Sequence, residues 1–270
     1  MLALRCFRAR ADAWYNRYTM SDNLRRFFQR FDQDRGFWIF VAAILVLFVV
    51  LQWRTLTGVV VGVLALIVAI TAHEFSHAWA ADLLHDPTAR LQGRVTLNPL
   101  AHLDPLGTIM MLITVVTGMG IGWGKPVPVS PWRLRFGPRR GEALVALAGP
   151  LSNLIVAVVF ALPMRFLAEQ VQSVPLLFTI LQALVATNIV IAMFNLLPFP
   201  PLDGHSVLIG ILSFFRGAWA QQVIGFFDRW ARRGWIILFG AVIVSQLLGL
   251  NLFGMLIGAP TYALYRLLVG

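Results

Sequence analysis

Two histidines and a glutamate occur within five residues of an apolar segment, in the order His73-Glu74-Phe75-Ser76-His77. On an α-helix, residues i and i+4 lie on one face, so both imidazoles can bind the same tetrahedral zinc ion. Glu74 would lie beside that metal, where it can take a proton from water. An ionisable side chain inside an apolar membrane helix costs about 3 kcal/mol, which favours a functional site over packing. The spacing predicts a zinc site with Glu74 as general base. The alternative is a hydrogen-bonded polar cluster without metal.

A catalytic zinc site normally has three protein ligands and one open position, so a third ligand must come from elsewhere in the chain. The preferred candidate is Asp203, which follows a proline-rich connection and precedes Gly204. Prolines keep this connection out of helix, and glycine permits a tight turn. His205 remains an alternative ligand, and capping the following helix remains an alternative role for Asp203. The positions of the other candidates in the chain argue against them as ligands: Asp82, Asp86, Asp104, Glu142, Glu169, Asp228, His85 and His102. The two histidines among these are expected to be solvated.

A further polar interruption is Asn153, in the sequence Ala148-Gly149-Pro150-Leu151-Ser152-Asn153. Glycine and proline in a transmembrane helix allow close approach of backbones and a local kink. An asparagine surrounded by lipid needs a hydrogen-bonding partner, which can be a neighbouring helix or a bound substrate. The sequence leaves both possibilities open.

The chain that must position these residues is 59% hydrophobic and only 13% charged over 270 residues. Soluble domains average about 45–50% apolar and 25% charged residues, so this is the composition of a membrane protein. We predict an all-α polytopic membrane protein with about six transmembrane helices. Residues 1–35 are predicted to be a basic cytoplasmic arm, either an interfacial amphipathic helix or a poorly ordered tail, and residues 36–270 a single domain. The six apolar segments, of about the length that a crossing requires, are 36–53, 56–84, 142–165, 176–197, 235–250 and 252–268.

The net charge of +10 does not indicate nucleic-acid binding, because the basic residues cluster between apolar segments. With six spans and both termini cytoplasmic, 20 of the 22 lysines and arginines fall on the cytoplasmic side, as the positive-inside rule predicts. This holds only if the segment 107–123 does not cross the membrane. Its glycine, threonine and β-branched residues predict a small re-entrant or interfacial β-hairpin near the metal site. The single cysteine, Cys6, excludes an intrachain disulfide and a cysteine-based zinc site.

With these motifs the chain resembles the site-2 protease family of intramembrane metalloproteases, especially its compact prokaryotic members. The resemblance covers a core of about residues 58–213 and rests on the His-Glu-x-x-His helix together with further motifs. These are Leu97-Asn98-Pro99-Leu100 with Asp104-Pro105-Leu106-Gly107, Gly124-Lys125-Pro126-Val127-Pro128, Ala148-Gly149-Pro150 with Asn153, and Asn195 with Pro198 and Leu202-Asp203-Gly204.

The resemblance implies one Zn²⁺ per chain at His73, His77 and Asp203, with Glu74 as general base. It implies hydrolysis of peptide bonds in or near transmembrane segments of membrane-protein substrates, in the cell membrane of a prokaryote. Asn153 and Asn195 match positions that bear on substrate or active-site geometry, and the segment 107–123 matches a region that can engage an unwound substrate as a strand. The alternatives are a membrane zincin of another class, a zinc-binding transporter and a catalytically inactive relative.

Overall fold

The computed structural model describes residues 56–117 and 122–270, the side chain of Gln246 excepted, and four isolated earlier positions: Ile39, Ala42, Ile44 and Val46. The predicted N-terminal arm and, apart from those four positions, the predicted span 36–53 lie outside the described residues. Thr57–Gly270 forms one compact unit, and all the predicted site residues belong to it.

The described unit is built from helices, which we number from the first helix whose bounds the structure gives. They are α1 (Leu56–Leu83), α2 (Thr88–Leu91), α3 (Pro105–Thr117), α4 (Gly137–Phe166), α5 (Ala168–Gln172), α6 (Pro175–Asn195), α7 (Asp203–Leu212), α8 (Ala218–Ala231), α9 (Gly234–Leu247) and α10 (Leu252–Val269). Short 3-10 turns lie at Pro99–Ala101 and Pro131–Arg133.

Four of the described helices, α1, α4, α6 and α10, are long and apolar enough to cross a membrane. They correspond to four of the six predicted spans, although α4 begins at Gly137, before the predicted start at Glu142. The segment predicted from Trp235 forms α9, which has only 14 residues, whereas a crossing needs about 20. The structure therefore confirms a helical protein with four described helices long enough to span a membrane. The count of about six spans stays a prediction.

The segment after α2 turns back on itself. An added Cβ at Gly107 in α3 would lie 2.1 Å from the Trp123 carbonyl oxygen, so the chain beyond α3 packs against the start of that helix. Leu103 and Gly124, which flank the segment, form an antiparallel β-bridge. The two ends of the segment therefore lie side by side. Residues 107–117 are helical rather than strand-like, and a small hairpin stays a prediction.

The central helix is α4, which packs against α6, α7 and α10. Its Ala157 and Ala161 are buried against Val185 and Ile189 of α6 in one apolar cluster. Small side chains let helix backbones approach closely, and between membrane helices van der Waals packing takes the place of the hydrophobic effect. This packing fixes the position of the N-terminal half of α4, which faces the histidine pair.

Candidate active site

Three side chains from two distant parts of the chain converge on one point. His73 and His77 project from α1 one turn apart, and their ring centroids are 4.5 Å apart. Asp203 is the first residue of α7, and its Oδ2 lies 3.0 Å from Nε2 of His73 and 3.4 Å from Nε2 of His77. The ligand atoms of the three residues lie within 4.8 Å of one another. Within the described ranges, this is the one group of three or more such residues that could hold a metal ion.

Hydrogen bonds from α4 fix the orientation of both imidazoles. Nδ1 of His77 lies 2.8 Å from the Val145 carbonyl oxygen, which can only accept, so Nδ1 carries the proton. Nδ1 of His73 lies 2.7 Å from Oδ1 of Asn153. The Asn153 amide nitrogen donates to the Ala69 carbonyl oxygen at 2.9 Å, so its Oδ1 must accept from His73. Both rings therefore direct Nε2, the nitrogen that carries a lone pair in the neutral imidazole, toward Asp203, which is the usual arrangement of metal-binding histidines.

This arrangement fits a bound cation. Oδ2 of Asp203 is buried and has no hydrogen-bond partner among the described residues. It faces two Nε2 lone pairs, and three such atoms repel one another unless a proton or a cation lies between them. Two imidazole nitrogens and one carboxylate oxygen form a donor set that zinc accepts in catalytic sites.

Gly149 on α4 provides the space that the imidazoles occupy. An added Cβ at this position would lie 2.5 Å from Nε2 of His77 and 2.7 Å from Cε1 of His73. Such distances are shorter than real Cβ contacts, so a larger residue would displace the rings. The sequence indicated close approach of a helix at this glycine, and the structure identifies the histidine pair as what approaches it.

Glu74 lines the cavity beside the ligands, next to the chain that returns from α3. Its Oε1 lies 3.0 Å from the position that a Cβ on Gly124 would take. Nearby, Arg94 is only 4% exposed and donates from Nη2 to the Lys125 carbonyl oxygen. Burial lowers the pKa of Arg94, and the Glu74 carboxylate raises it, so this buried cation lies within electrostatic reach of Glu74. Sequence reasoning missed Arg94, because an arginine in a loop is usually solvated.

Asp203 enters the site without capping its helix. Leu202 is the N-cap residue of α7, and no side-chain capping hydrogen bond is formed there. Gly204 is required for a different reason from the tight turn that the sequence suggested. An added Cβ would lie 2.3 Å from the Leu196 carbonyl oxygen, so α7 begins in direct contact with the end of α6.

The two predicted asparagines have different surroundings. Asn153 is fully buried, and besides its bond to His73 it donates to Oδ1 of Asn188 at 2.8 Å. The hydrogen-bonding partners of Asn153 therefore lie on neighbouring helices. Asn195 lines the cavity, but its amide nitrogen donates back to the Ile191 carbonyl oxygen at 3.0 Å. Sequence reasoning missed Asn188, although the argument that a polar residue in an apolar span needs a partner applies to it equally.

His205, the alternative third ligand, is not part of the group of ligand atoms. Its ring lies 5.9 Å from that of Phe227 in α8. Its Nε2 is buried without a hydrogen-bond partner among the described residues. The structure therefore brings together the preferred set and leaves this alternative outside it.

Two acidic residues at and just beyond the end of α1 have structural partners of their own. Asp82 forms an ion pair with Arg90. Asp86 is fully buried and accepts a 2.6 Å hydrogen bond from the Ser130 backbone nitrogen. These contacts hold the chain around Arg90 and Ser130 against the end of α1, beside the site.

The expectation that His102 is solvated was wrong. His102 is fully buried, and its Nε2 lies 2.7 Å from the Thr96 carbonyl oxygen. Its own carbonyl oxygen accepts from the Lys125 backbone nitrogen at 2.7 Å. The loop folds over this ring, which gives the histidine a structural role that its loop position did not reveal.

A cavity of about 930 Å³ opens at the site. Its walls come from α1, α3, α4, α6, α7, α9 and α10 and from the chain around residues 122–131, and they are largely apolar. Its volume lies in the range of roughly 300–1,000 Å³ that is typical of ligand pockets. The fold and the site thus define a class: a helical membrane protein with two histidines and one aspartate placed to hold a metal ion inside an apolar cavity.

Curated relatives carry matching names. The chain is 42% identical over 154 residues to "Putative zinc metalloprotease YwhC" of Bacillus subtilis, a match that covers 54% of this chain and 66% of that protein. It is 32% identical over 154 residues to "Putative zinc metalloprotease Rip2" of Mycobacterium tuberculosis, covering 56% of this chain and 57% of that protein. A zinc metalloprotease of Methanocaldococcus jannaschii is 36% identical over 76 residues, covering 28% of this chain and 21% of that protein. No family model and no solved structure matches.

The matches span at most 66% of each of these three relatives. They confirm the resemblance that the motifs predicted, which is to the site-2 protease-like family of zinc metalloproteases. The names of the relatives imply Zn²⁺ as the metal, and His73, His77 and Asp203 lie close enough together to form its site.

Proposed function

We propose that this protein is an intramembrane zinc metalloprotease that hydrolyses peptide bonds in or near transmembrane segments of membrane proteins. The observation that carries the proposal is the convergence of two oriented imidazoles and a buried carboxylate oxygen at one point. In this proposal His73, His77 and Asp203 hold the metal, and Glu74 is the general base. The zinc metalloprotease names of the relatives support the same conclusion.

The reaction is peptide hydrolysis with a water molecule as nucleophile. The chemistry that zinc supplies when bound is polarisation of the scissile carbonyl and a lower pKa for water. The Glu74 carboxylate takes a proton from the attacking water and later delivers it to the nitrogen of the leaving amine. Asn153 and the Val145 carbonyl keep the two imidazoles in the orientation and tautomer that the ligand role requires.

The substrate must be locally extended when it is cut, because the hydrogen bonds of a helix shield its carbonyls. The cavity wall at residues 122–131 contains Pro126 and Pro131 and is not helical before Pro131, so it can lie along an unwound segment. We place the protein in the cell membrane of a prokaryote, with both termini and the polar segment 85–140 in the cytoplasm. Cleavage there would release the cytoplasmic part of a substrate, which is the basis of regulated intramembrane proteolysis.

The test is metal content and cleavage measured on the same purified protein. Wild type should bind one zinc per chain and cleave a model transmembrane substrate. Glu74→Gln should keep its zinc and lose cleavage by roughly 10²–10⁴-fold, which is typical for a general base. Glu169→Gln, which changes an acidic residue of α5 outside the cavity lining, is the matched control and should change neither. Near-normal turnover by Glu74→Gln would contradict the mechanism, and zinc flux across vesicles without cleavage would favour a transporter.

A further inference from the structure

One ionisable residue of the cavity wall has no place in the proposed mechanism. The ionisable side chains among the described lining residues are His73, Glu74, His77, Asp203 and Glu142. The first four belong to the metal site, and Glu142 stands apart from them on α4. No lysine or arginine is among the described lining residues, so within this lining the carboxylate of Glu142 meets apolar walls and a few neutral polar groups.

Glu142 lies on the face of α4 that is turned toward the metal site. Val145, Ala146 and Gly149 follow it at positions i+3, i+4 and i+7, which share one helix face. All three are buried, and Val145 and Gly149 contact the imidazoles. Ser206, one turn after Asp203, also lines the cavity.

Among the described residues, Glu142 has no cationic partner. No ion pair between described residues involves Glu142. The arginines of the preceding turn point elsewhere: Arg139 Nη1 lies 3.5 Å from Gln221 Oε1, and Arg140 lies over the Phe214 ring. Asp228 of α8 adds a second negative charge nearby. Burial and a second negative charge both disfavour the ionised carboxylate, so a positively charged group bound beside it would stabilise that form.

We propose that Glu142 is a specificity-determining residue whose carboxylate binds a lysine or arginine side chain of the substrate. The inference rests on the proposed protease function and names its substrate class: membrane proteins with a basic residue close to the scissile bond. Seven residues of helix separate Glu142 from Gly149, a rise of about 10 Å. An extended peptide covers that distance in about three residues. Basic residues at this spacing are common where membrane proteins emerge on the cytoplasmic side.

The experiment uses a cleaved model transmembrane substrate in a series of single replacements. Lysine, methionine or glutamate is placed in turn at each of the five positions on either side of the scissile bond, and kcat/KM is measured. At one or two positions about three residues from the bond, wild type should prefer lysine to methionine by roughly tenfold or more, as buried charge pairs typically provide. Glu142→Gln should lose this preference, so that its kcat/KM values for the lysine and methionine substrates become similar. Glu142→Lys should prefer glutamate at the same positions. Glu169→Gln is the matched control and should keep the wild-type ratio.

Equal lysine-to-methionine ratios in wild type and Glu142→Gln at all ten positions would overturn the inference while leaving the protease function intact. Wild type that cleaves none of the substrates would instead contradict the proposed function itself. If Glu142→Lys does not fold, as judged by its zinc content, the near-isosteric Glu142→Gln decides the test by itself. The inference requires its lysine-to-methionine ratio of kcat/KM to fall below that of wild type.

Discussion

The amide oxygen of Asn153 accepts a 2.7 Å hydrogen bond from Nδ1 of His73, a residue 80 positions earlier in the chain. The same amide group donates to the Ala69 carbonyl oxygen and to Asn188, so its orientation is fixed from three sides. A partner of this kind sets the tautomer and the direction of a metal-binding imidazole. The positions of α1 and α4 are thereby coupled directly to the geometry of the metal site.

We expect Asn153→Ala to weaken zinc binding by about 10–100-fold, the usual cost of losing such a partner. The measurement is zinc affinity of the purified protein by competition with a chelator. Asn195→Ala is the control, because Asn195 lines the cavity but hydrogen-bonds within its own helix, and its zinc affinity should be unchanged. Equal affinities of Asn153→Ala and wild type would show that the hydrogen bond does not orient His73.

Gly149→Ala should remove zinc binding although it adds only one methyl group. The new Cβ would lie 2.5 Å from Nε2 of His77, so the ring must move away from the metal position. Gly58→Ala in α1 is the matched control, since a Cβ there meets nothing within 4 Å and alanine favours helix. Metal analysis of both proteins checks the prediction. Full zinc occupancy in Gly149→Ala would mean that the rings can shift without losing the metal.

Asp203→Ala should lose the zinc, and His205→Ala should retain it. Asp203 Oδ2 lies 3.0 Å from Nε2 of His73, whereas the His205 ring packs against Phe227. Zinc per chain, measured by mass spectrometry after dialysis, decides between the two ligands. The opposite pattern, with zinc kept by Asp203→Ala and lost from His205→Ala, would assign the third position to His205.

The topology can be tested by labelling single cysteines in a Cys6→Ser background with a reagent that does not cross the membrane. Gln92→Cys, Arg135→Cys and Gln222→Cys, at exposed positions, should be labelled only from the cytoplasmic side. Ser173→Cys, between α5 and α6, is the control and should be labelled from the outside. The reason is that the predicted six-span topology places 20 of the 22 basic residues on the cytoplasmic side. Labelling of Arg135→Cys from the outside would show that the segment 107–123 crosses.

The sequence was sufficient for those parts of the site that depend on one helix alone. The spacing of His73 and His77 puts both imidazoles on one face wherever the helix lies, because i and i+4 side chains neighbour each other in any α-helix. The apolar lengths of α1, α4, α6 and α10 likewise follow from composition, since a helix satisfies its own backbone hydrogen bonds within lipid. Asp203 could be preferred as third ligand because few acidic residues lie near a membrane segment.

Only the tertiary structure decided which residues surround these ligands. Val145 and Gly149 of α4 contact the imidazoles, and Asn188 of α6 contacts Asn153 behind them. No local pattern encodes which positions of two helices meet. The burial of His102 has the same origin, since a loop residue becomes buried only when a distant segment covers it. The helical start of the segment 107–123 also departs from its strand-like composition, because β-propensity mainly reflects packing against neighbours. Spacing along one helix is local geometry, whereas contacts between helices depend on the arrangement of the whole chain.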